Sequence, residues 1–381
     1  MPDTLSEQAL QLHKENKGKI HIELNTPLET KDDLSLVYTP GVADVSRHLS
    51  KHPEETNDYT WRGRCVAVIS DGSAVLGLGN IGPEGAYPVM EGKCALFKRF
   101  AGLDAVPILL STQDPDEIID TVIRIAPSFG AINLEDISAP RCFYIEEQLK
   151  KKLNIPVIHD DQWGTAVVVY SGLLNACKVT SRSFKKSKIV VNGVGAAGTA
   201  IIKILHHNKV KNIIACDSNG IIYSNREGNS DHKSYIASIT NPNIVKGNLE
   251  VAAQNADIII GVSKADLFTD TIIRSMNKES IVFALANPNP EIMPEAAKSA
   301  GVAVIATGRS DFPNQVNNAL GFPGIFKGLF DAHVTEVTLE MLTNAAVSLS
   351  AVIENPDTDH IIPSVFDPEV VPSISKNIVK S

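Results

Sequence analysis

Long apolar runs, cysteine pairs and an excess of basic residues are all missing from this 381-residue sequence. The apolar runs, such as residues 257–262, are strand-length, whereas a membrane-spanning helix needs about 20 apolar residues. The five cysteines have no CxxC spacing and mostly lie in apolar segments, which argues against disulfides and zinc ligands. Because 44 acidic residues face 35 basic ones, neither nucleic acid nor an anionic membrane is expected as a partner.

The first twenty residues also lack the layout of a signal peptide. MPDTLSEQALQLHKENKGKI has no charged segment followed by an apolar one. Together with thiols that read as buried and unpaired, this predicts a cytoplasmic protein. Hydrophobic residues at 43% and charged residues at 21% are ordinary for a soluble globular chain, and the length suits about two domains.

Apolar and amphipathic segments alternate along the first half of the chain. RCVAVIS, DAVPILLS and GAINLEDI are strand-like, whereas GAYPVMEGKCALFKRFAG, DPDEIIDTVIRIAPSF and APRCFYIEEQLKKKL are helix-like. Continuous apolar strands separated by such helices favour parallel sheets that are covered on both faces. The sequence therefore predicts an α/β protein with an N-terminal α/β substrate domain, residues 1–155. A C-terminal Rossmann-type domain with a doubly wound parallel sheet would follow, residues 156–381.

A glycine-rich turn is the main feature of the second domain. KIVVNGVGAAGTAIIKILHHNKVKNIIACD reads as strand, turn, helix, strand and acid, which is the order of a dinucleotide-binding unit. The pyrophosphate would bind at the helix N-terminus, against a turn formed by Gly193, Gly195, Ala196, Ala197 and Gly198. Asp217, which ends the second strand, would accept hydrogen bonds from the adenosine ribose. An ordinary tight turn is the alternative, but the strand, the helix and the distal acid all agree with binding.

Two predicted strands each end in a pair of acids. GAINLEDI ends with Glu135 and Asp136, and NIPVIHDD ends with Asp160 and Asp161. Because ligands of parallel sheets bind beyond the carboxyl ends of the strands, both pairs are expected to face one cleft. Like charges repel unless a cation is present, and carboxylate oxygens suit Mg²⁺ or Mn²⁺. Alternation along an extended segment would turn Asp160 and Asp161 to opposite sides, which predicts three ligands and one neighbour.

The alternative for these acids is helix capping. Asp136 or Asp161 could cap the helix that follows, and Ser138 could share that role.

Six longer motifs resemble the malic enzymes in their short bacterial or archaeal form. They are SLVYTPGVA, LGLGNIGPEGAYPVMEGKCALFKRFAGLDAVPI, INLEDISAPRCF, IPVIHDDQWGTA, ALANPNPE and GRSDFPNQVNNALGFPGIFKG, and they occur in the order of that family. The resemblance implies metal-dependent oxidative decarboxylation of L-malate to pyruvate and CO₂, with Mn²⁺ or Mg²⁺ as the metal and NAD or NADP as the oxidant.

The resemblance also implies roles for single residues. Three acids match the metal ligands: Glu135, Asp136 and Asp161. Lys93, in MEGKCALF, matches the general base, and Asp160 matches the acid that interacts with this lysine. Tyr38, in VYTPG, matches the general acid. Asn287 and Asn318 match residues at the substrate and the nicotinamide, and the loop SDGSAVLGLGNIG is expected near both.

Two positions depart from the family pattern. Trp163 stands where short malic enzymes commonly carry histidine, and Ala74 stands where long ones carry a substrate-binding arginine. The groups that would hold the distal carboxylate of malate are therefore left unassigned.

Asp217 favours NAD over NADP, because a carboxylate accepts from both ribose hydroxyls and repels a 2′-phosphate. Arg226 is the feature that favours NADP, since it could bind that phosphate. One rival function is a metal-dependent oxaloacetate decarboxylase on the same scaffold with little redox activity. The other is a non-catalytic dinucleotide sensor, which would not need Tyr38, Lys93 and the acids together. A homodimer is the default expectation for the assembly.

Overall fold

Two β-sheets organise residues 4–379, the part of the chain that the computed structural model describes. The first sheet contains β1 (Cys65–Ser70), β2 (Asp104–Leu109), β3 (Ala131–Leu134) and β4 (Val157–His159). The second contains β5 (Lys188–Asn192), β6 (Asn212–Asp217), β7 (Gly220–Ile221), β8 (Ile258–Gly261), β9 (Ile281–Ala284) and β10 (Val304–Thr307). Their strand orders are β2-β1-β3-β4 and β10-β9-β8-β5-β6-β7. Apart from the antiparallel pair β6 and β7, the described strand pairs are parallel, which confirms the predicted α/β class.

Helices connect the strands and cover both sheets. Those of the first half are α1 (Leu5–Asn16), α2 (Lys31–Val37), α3 (Val42–Lys51), α4 (Thr56–Tyr59), α5 (Gly82–Leu96), α6 (Pro115–Ile125) and α7 (Arg141–Lys152). The others are α8 (Asp160–Val179), α9 (Ala196–His207), α10 (Asp231–Ile239), α11 (Leu249–Ala253), α12 (Asp270–Arg274), α13 (Pro294–Ser299), α14 (Phe322–Asp331), α15 (Leu339–Ala351) and α16 (Val370–Ser375).

Each sheet is buried on both faces, as its unbroken apolar strands predict. In β1, Val66 and Val68 enter one core, and Ile69 enters a second core on the opposite face. In β5, Val191 belongs to the same core as Val66, and Val190 belongs to a third. One apolar core therefore extends from the inner face of the first sheet, through α8, to the inner face of the second.

No loop separates the first sheet from the helix that leads to the second. β4 pairs with β3 in the first sheet, and α8 begins at the next residue, Asp160. α8 is 20 residues long and packs against α9 and α15 of the second domain. The boundary between residues 155 and 156 stays a prediction, with the last strand of the first sheet just beyond it.

The cysteines and helices add two general facts. All five cysteines are buried and free, and burial raises the pKa of the Cys94 thiol to about 12, so that it stays protonated. No helix within residues 4–379 has the length and apolar character needed to cross a bilayer.

The N-terminal region differs from the rest of the chain, because no residue between 4 and 64 is buried. Residues 21–51, named the N-terminal arm here, contain α2 and α3. The arm is attached at both ends. Before it, Lys19 Nζ donates to the carbonyl of Pro88 on α5 at 2.7 Å; after it, Trp61 Nε1 donates to Asp104 Oδ2, also at 2.7 Å.

Candidate active site

Three carboxylates meet at the carboxyl edge of the first sheet. Glu135 and Asp136 follow β3, and Asp161 lies in the first turn of α8, directly after β4. Because β3 and β4 are neighbours, the ends of the two strands lie together. One oxygen from each of the three carboxylates lies within 4.8 Å of the others. These three residues are called the carboxylate cluster below.

The backbone around Asp136 brings the two strand ends together. Asp136 adopts the left-handed conformation, with φ of 53°, and its N–H donates to Asp161 Oδ2 at 2.8 Å. Its carbonyl accepts from the N–H of Ala74, in the loop after β1. The capping alternative does not hold, because the N-cap residues of α7 and α8 are Pro140 and His159, and neither helix has a side-chain cap. The acids are therefore free to bind something other than their own helices.

The expectation that Asp160 and Asp161 lie in an extended segment is wrong. α8 begins at Asp160, so the two side chains diverge by about 100° around a helix instead of alternating across a strand. Asp161 faces Glu135 and Asp136, and Asp160 faces Lys93. The predicted division into three cluster members and one neighbour is still what the geometry contains.

Lys93 connects Asp160 to the cluster. Its side chain is 7% exposed, and Nζ lies 2.6 Å from Asp160 Oδ2 and 2.8 Å from Glu135 Oε1. Nζ also lies 4.3 Å from the centre of the Phe322 ring. Lys93 is therefore not the solvated helix lysine that its residue type alone would suggest.

Burial and like charge keep the acids more protonated than usual. Burial, followed by the charges of Asp161 and Glu135, raises the pKa of Asp136 to about 9. Burial is also the main cause that raises the pKa of Asp160 and of Asp161 to about 6. Burial alone would lower the pKa of Lys93, but Asp160 and Glu135 together raise it above its ordinary value. In the absence of a cation, the lysine thus keeps its proton beside an excess of negative charge.

The cluster fits a hard divalent cation. Its ligand atoms are all carboxylate oxygens, which suit Mg²⁺ and Mn²⁺. Asp136 Oδ2 is buried and has no hydrogen-bond partner among the described residues, so an acceptor is left over. The nearby His159 is fully buried, and burial lowers the pKa of its ring, which agrees with a neutral core histidine.

Glu146, on α7, holds the start of α8 in position. Its Oε1 accepts from the N–H of His159 at 3.2 Å and from Trp163 Nε1 at 2.8 Å, and its Oε2 accepts from Gln162 Nε2 at 3.0 Å. Lys150 Nζ lies 2.8 Å from the same carboxylate. Trp163, the departure from the family pattern, thus serves as a donor that anchors the turn carrying the acids. In sequence Glu146 stands beside Glu147 in a charged helix, and only the packing of α7 against β4 distinguishes it.

The loop after β1 reaches both halves of the site. Asp71 is fully buried, and its carboxylate accepts from Arg141 Nη2 at 3.0 Å and from the N–H of Ser73 at 3.0 Å. Ser73 Oγ accepts in turn from the N–H of Ser138, next to the cluster. Further along this loop, a Cβ built on Gly77 would lie 2.6 Å from the carbonyl of Asn287. The loop therefore lies between the two sheets, with contacts to each.

The two asparagines differ in position. A Cβ built on Gly164 would lie 1.9 Å from Asp160 Oδ1 and 3.2 Å from the Cβ of Asn318, so Asn318 lies beside the Lys93–Asp160 pair. Asn287 is exposed after β9, and its side-chain amide lies 2.9 Å from a Cβ built on Gly308. Asn287 thus lies shortly after the carboxyl end of β9, and Asn318 begins a short 3-10 helix; their roles at the substrate and the nicotinamide stay predictions.

Tyr38 is not brought to the carboxylate cluster. It ends α2 within the N-terminal arm, and 67% of its surface is exposed. Among residues 4–379 its side chain has no recorded hydrogen bond or ring contact.

The glycine turn between β5 and α9 has the predicted conformation. Gly193 has φ of 114°, and a Cβ there would lie 2.7 Å from the carbonyl of Val262. A Cβ on Gly198 would lie 1.9 Å from the carbonyl of Gly193, so close packing requires glycine at both positions. A Cβ on Gly195 would meet no atom within 4 Å, and α9 begins at Ala196 without a side-chain cap. The N-terminus of α9 thus opens onto free space, where an anion could bind.

A cavity of about 310 Å³ lies at this turn. It is lined by Gly193 and Gly195 on one side and by Pro140 and Phe143 of the first domain on the other. Asp217 also lines it, so the cavity joins the turn to the end of β6. This is the location expected for a dinucleotide between the two domains.

Asp217 is paired with two cations. Arg226 contacts the carboxylate through Nη1 at 2.9 Å and Nη2 at 2.5 Å, and Lys233 Nζ lies 2.7 Å away. Burial opposes ionisation here, but the hydrogen bonds from Arg226 and Lys233 hold the pKa of Asp217 at about 2. Arg226, the candidate phosphate ligand, is therefore engaged by the acid that was expected to exclude phosphate.

Family models match both halves of the chain. The malic enzyme N-terminal domain matches residues 17–150, and the malic enzyme NAD binding domain matches residues 163–380. The chain belongs to the malic enzyme family. The resemblance stated from the sequence motifs is thereby confirmed.

Relatives within the malic enzyme family cover the chain almost completely. The bifunctional malic/malolactic enzyme of Bacillus subtilis is 50% identical over 99% of this chain and 93% of its own. The NAD-dependent malic enzyme of Geobacillus stearothermophilus is 49% identical over 96% of this chain and 76% of its own. The NADP-dependent malic enzyme of Halomonas elongata is 43% identical over 100% of this chain and 94% of its own. The names of the last two relatives state different cofactors, NAD and NADP.

Crystal structures of malic enzymes have the same fold. The NAD-dependent malic enzyme of Thermotoga maritima has a TM-score of 0.94 at 49% identity, covering 97% of this chain and 98% of its own. The malic enzyme of Pyrococcus horikoshii has a TM-score of 0.95 at 43% identity, covering 98% and 90%. The predicted Rossmann-type second domain is thereby confirmed.

Proposed function

We propose that this enzyme catalyses the metal-dependent oxidative decarboxylation of L-malate to pyruvate and CO₂, with NAD as the oxidant. The observation that carries the proposal is the meeting of the carboxylate cluster with the Lys93–Asp160 pair, beside a cavity at a dinucleotide turn. Relatives named as malic enzymes, at up to 50% identity over nearly the whole chain, support the same reaction.

Glu135, Asp136 and Asp161 would hold the Mn²⁺ or Mg²⁺ ion. When bound, the cation supplies a Lewis acid at the C2 oxygen of the substrate and stabilises the negative charge that develops as CO₂ leaves. The protein contributes three oxygens that are already gathered, including one buried oxygen without a partner.

Lys93 would remove the proton of the C2 hydroxyl. A lysine can do so only when it is neutral, and both of its carboxylate partners raise its pKa. Engagement of Glu135 by a cation would remove one of these partners, which favours the neutral amine. Asp160, at 2.6 Å, would keep the amine oriented throughout.

The remaining residues would position the reactants and supply the last proton. NAD supplies the acceptor for the C2 hydride, held against the turn at Gly193–Gly198. Asn318, beside Asp160, would contact the substrate, and Asn287 would contact the substrate and the nicotinamide. Tyr38 would protonate C3 of the enolate to give pyruvate, a role supported by its place in the VYTPG motif.

NAD is proposed over NADP because of the charges around Asp217. Its carboxylate would accept hydrogen bonds from the ribose hydroxyls, and it already pairs with both Arg226 and Lys233. Neither cation is then free to compensate the charge of a 2′-phosphate.

The decisive test follows two products at once. The purified enzyme would be supplied with malate, Mn²⁺ and either NAD or NADP, and reduced cofactor and pyruvate would be measured together. We expect equal amounts of both, faster with NAD. If oxaloacetate, supplied in a parallel assay, gives pyruvate while malate reduces no cofactor, the enzyme is instead an oxaloacetate decarboxylase.

We also propose a cytoplasmic homodimer. Five buried free thiols suit a reducing compartment, and closed two-fold dimers are the commonest assemblies of soluble enzymes.

A further inference from the structure

We propose that Glu291 is a positioning residue for hydride transfer, because its buried carboxylate fixes the loop that carries Asn287 relative to the glycine turn at Gly193. The inference rests on the proposed function, in which Asn287 contacts the substrate and the nicotinamide and the turn holds the dinucleotide. The side chain of Glu291 is 0% exposed. It would therefore act through Asn287 and not by touching a reactant.

The first observation is that the Glu291 carboxylate joins the carboxyl ends of two neighbouring strands. Its Oε1 accepts from the N–H of Ser263, shortly after β8, at 3.1 Å. Its Oε2 accepts from the N–H of Ala286, shortly after β9, at 2.9 Å. Since β8 and β9 pair in parallel, the two oxygens hold both loops at the same edge of the second sheet.

The chain around Glu291 accommodates a group that is costly to bury. A carboxylate loses its hydration in the interior, and only hydrogen bonds or a cation can offset that loss. Within residues 4–379 no cation pairs with Glu291, and burial raises its pKa while the N–H groups of Ala286 and Ser263 oppose the rise. The last residue of β8 is Gly261, where a Cβ would lie 2.4 Å from Glu291 Cδ. The carboxylate can thus approach the strand end only because a glycine stands there.

The second observation concerns Asn287, which directly follows Ala286. The side chain of Asn287 makes no hydrogen bond within residues 4–379, so its position depends mainly on the backbone beside it. The carbonyl of Asn287 lies 2.6 Å from a Cβ built on Gly77, in the loop after β1. The hydrogen bond from Ala286 to Glu291 therefore fixes the backbone one residue before the side chain that would meet the substrate.

The third observation connects Glu291 to the glycine turn. Ser263, the other donor to Glu291, also accepts through its Oγ from Asn192 Nδ2 at 3.0 Å. Asn192 is the last residue of β5 and directly precedes Gly193. One carboxylate therefore helps to set the distance between the loop of Asn287 and the turn that would hold the dinucleotide.

Hydride transfer is the step that depends most on this distance. C2 of malate must approach the nicotinamide ring closely, and small misplacements of reacting groups are costly in rate. The carboxylate cluster and Lys93 belong to the first domain, and no hydrogen bond joins them to Glu291 within residues 4–379. Loosening the contacts of Glu291 should therefore slow the hydride step and leave metal binding unchanged.

Glu291→Gln tests the inference with a side chain of the same size. Its amide nitrogen cannot accept a hydrogen bond, so one of the two N–H groups loses its partner. We expect kcat for malate oxidation to fall by about tenfold, with the KM for Mn²⁺ unchanged. The isotope effect on kcat with malate deuterated at C2 should be at least as large as in the wild type, because hydride transfer is the step that slows.

Glu295→Gln is the matched control, because Glu295 is an exposed acid four residues further on, in the first turn of α13. It should change neither kcat, nor the KM for Mn²⁺, nor the isotope effect. A Glu291→Gln enzyme with wild-type kcat, or with a smaller isotope effect than the wild type, would overturn the inference.

A double-variant cycle tests whether Glu291 acts through Asn287. Asn287→Ala alone should also lose kcat. Adding Glu291→Gln to Asn287→Ala should cost no more than about a further twofold, because the side chain that Glu291 positions is already absent. Losses that multiply as if the two residues were independent would contradict the inference.

Far-UV circular dichroism and thermal melting follow the folding of each variant separately. If Glu291→Gln does not fold, Glu291→Asp takes its place with the same expectations, since it keeps the charge but is one methylene shorter. A wild-type enzyme that reduces no cofactor with malate would instead reject the proposed function, so the two failures are distinguishable.

Discussion

The acids at the carboxyl edges of the two sheets have opposite electrostatic surroundings. At the first edge, Glu135, Asp136, Asp160 and Asp161 surround one lysine, and the pKa of Asp136 rises to about 9. At the second edge, Asp217 is surrounded by Arg226 and Lys233, and its pKa falls to about 2. The first edge thus has an excess of negative charge that a divalent cation would reduce, whereas at the second edge two cations already pair with the single acid.

The first edge is therefore expected to bind a metal ion, and the second to select between cofactors. Acids that repel one another have a higher affinity for a cation. The same repulsion lowers the stability of the fold when no cation is bound. An acid that is already paired with cations does not need a metal ion, and its charge instead affects which cofactor the site accepts. Removing an acid should therefore help the fold at the first edge, and should change ligand choice at the second.

Asp136→Asn is expected to have the largest effect. It removes a carboxylate whose pKa is raised to about 9 and whose buried Oδ2 has no hydrogen-bond partner among the described residues. Turnover with Mn²⁺ should fall by roughly 1000-fold, because several kcal/mol of transition-state stabilisation depend on the cation. The melting temperature without divalent cation should stay the same or rise, since the neutral amide replaces a buried acid that must take up a proton when the chain folds.

Glu147→Gln is the matched control, because Glu147 is an exposed acid paired with Lys151 on α7. It should change neither activity nor the response of the melting temperature to Mn²⁺. Near-normal turnover of Asp136→Asn, or turnover of the wild type after thorough chelation, would refute the assignment of the cluster.

Lys93→Ala should come next, with a loss of malate oxidation of about 100-fold or more. Lys93→Arg is a sharper companion, because it keeps the positive charge among the acids but cannot lose a proton near neutral pH. Both variants should fail to oxidise malate, and small primary amines should restore part of the activity only in the alanine variant. An active arginine variant would mean that Lys93 acts as a charge and not as a base.

Gly164→Ala tests the first edge by displacing a side chain without changing any charge. The new Cβ would lie 1.9 Å from Asp160 Oδ1, so Asp160 must shift relative to Lys93. We expect kcat to fall by about tenfold or more, since small misplacements of catalytic groups are costly.

Gly172→Ala, on the same helix, is the control for stability. Its Cβ would meet Ile362 and Phe283 of the core at 3.0–3.2 Å and no residue of the site. Both variants should melt at a lower temperature. Only Gly164→Ala should lose more kcat than the loss of folded protein explains. Equal kcat values would show that the position of Asp160 is not critical.

Asp217→Ser should have the smallest effect and a different character. Releasing Arg226 and Lys233 leaves two cations beside the ribose site, so kcat/KM should shift toward NADP by about tenfold, or roughly 1.4 kcal/mol. Asp257→Ser removes an acid that pairs with Arg182, just before β8 and away from the carboxyl edge. It should leave the ratio unchanged. A wild type that already prefers NADP tenfold would contradict this account of Asp217.

The sequence predicted the sheets, the glycine turn and the cluster because each depends on local patterns. Apolar strands that end in acids, and glycines spaced for a turn, appear in the sequence directly. The start of α8 at Asp160 could not be predicted, because no side chain caps it and the anchoring carboxylate comes from Glu146 on another helix. The pairing of Asp217 with Lys233 was missed for the same reason, since it arises from the packing of α10 and leaves no mark on spacing.

Tyr38 marks a different limit of prediction. Its motif identifies the residue, but the motif does not show that 67% of its surface is exposed and that it lies away from the carboxylate cluster. A motif identifies which residue types occur together in the sequence, and it does not show how far apart the fold places them.

The core that runs from β1 through α8 to β5 has a consequence for how the protein comes apart. Val68, Leu173 and Val191 belong to this core, although they come from the first sheet, the connecting helix and the second sheet. Neither half can lose its structure without exposing the apolar surface of the other, so the two sheets should melt in one cooperative transition. Chains cut near residue 160 should accordingly fail to fold when produced separately, and should regain structure only when the two fragments are combined.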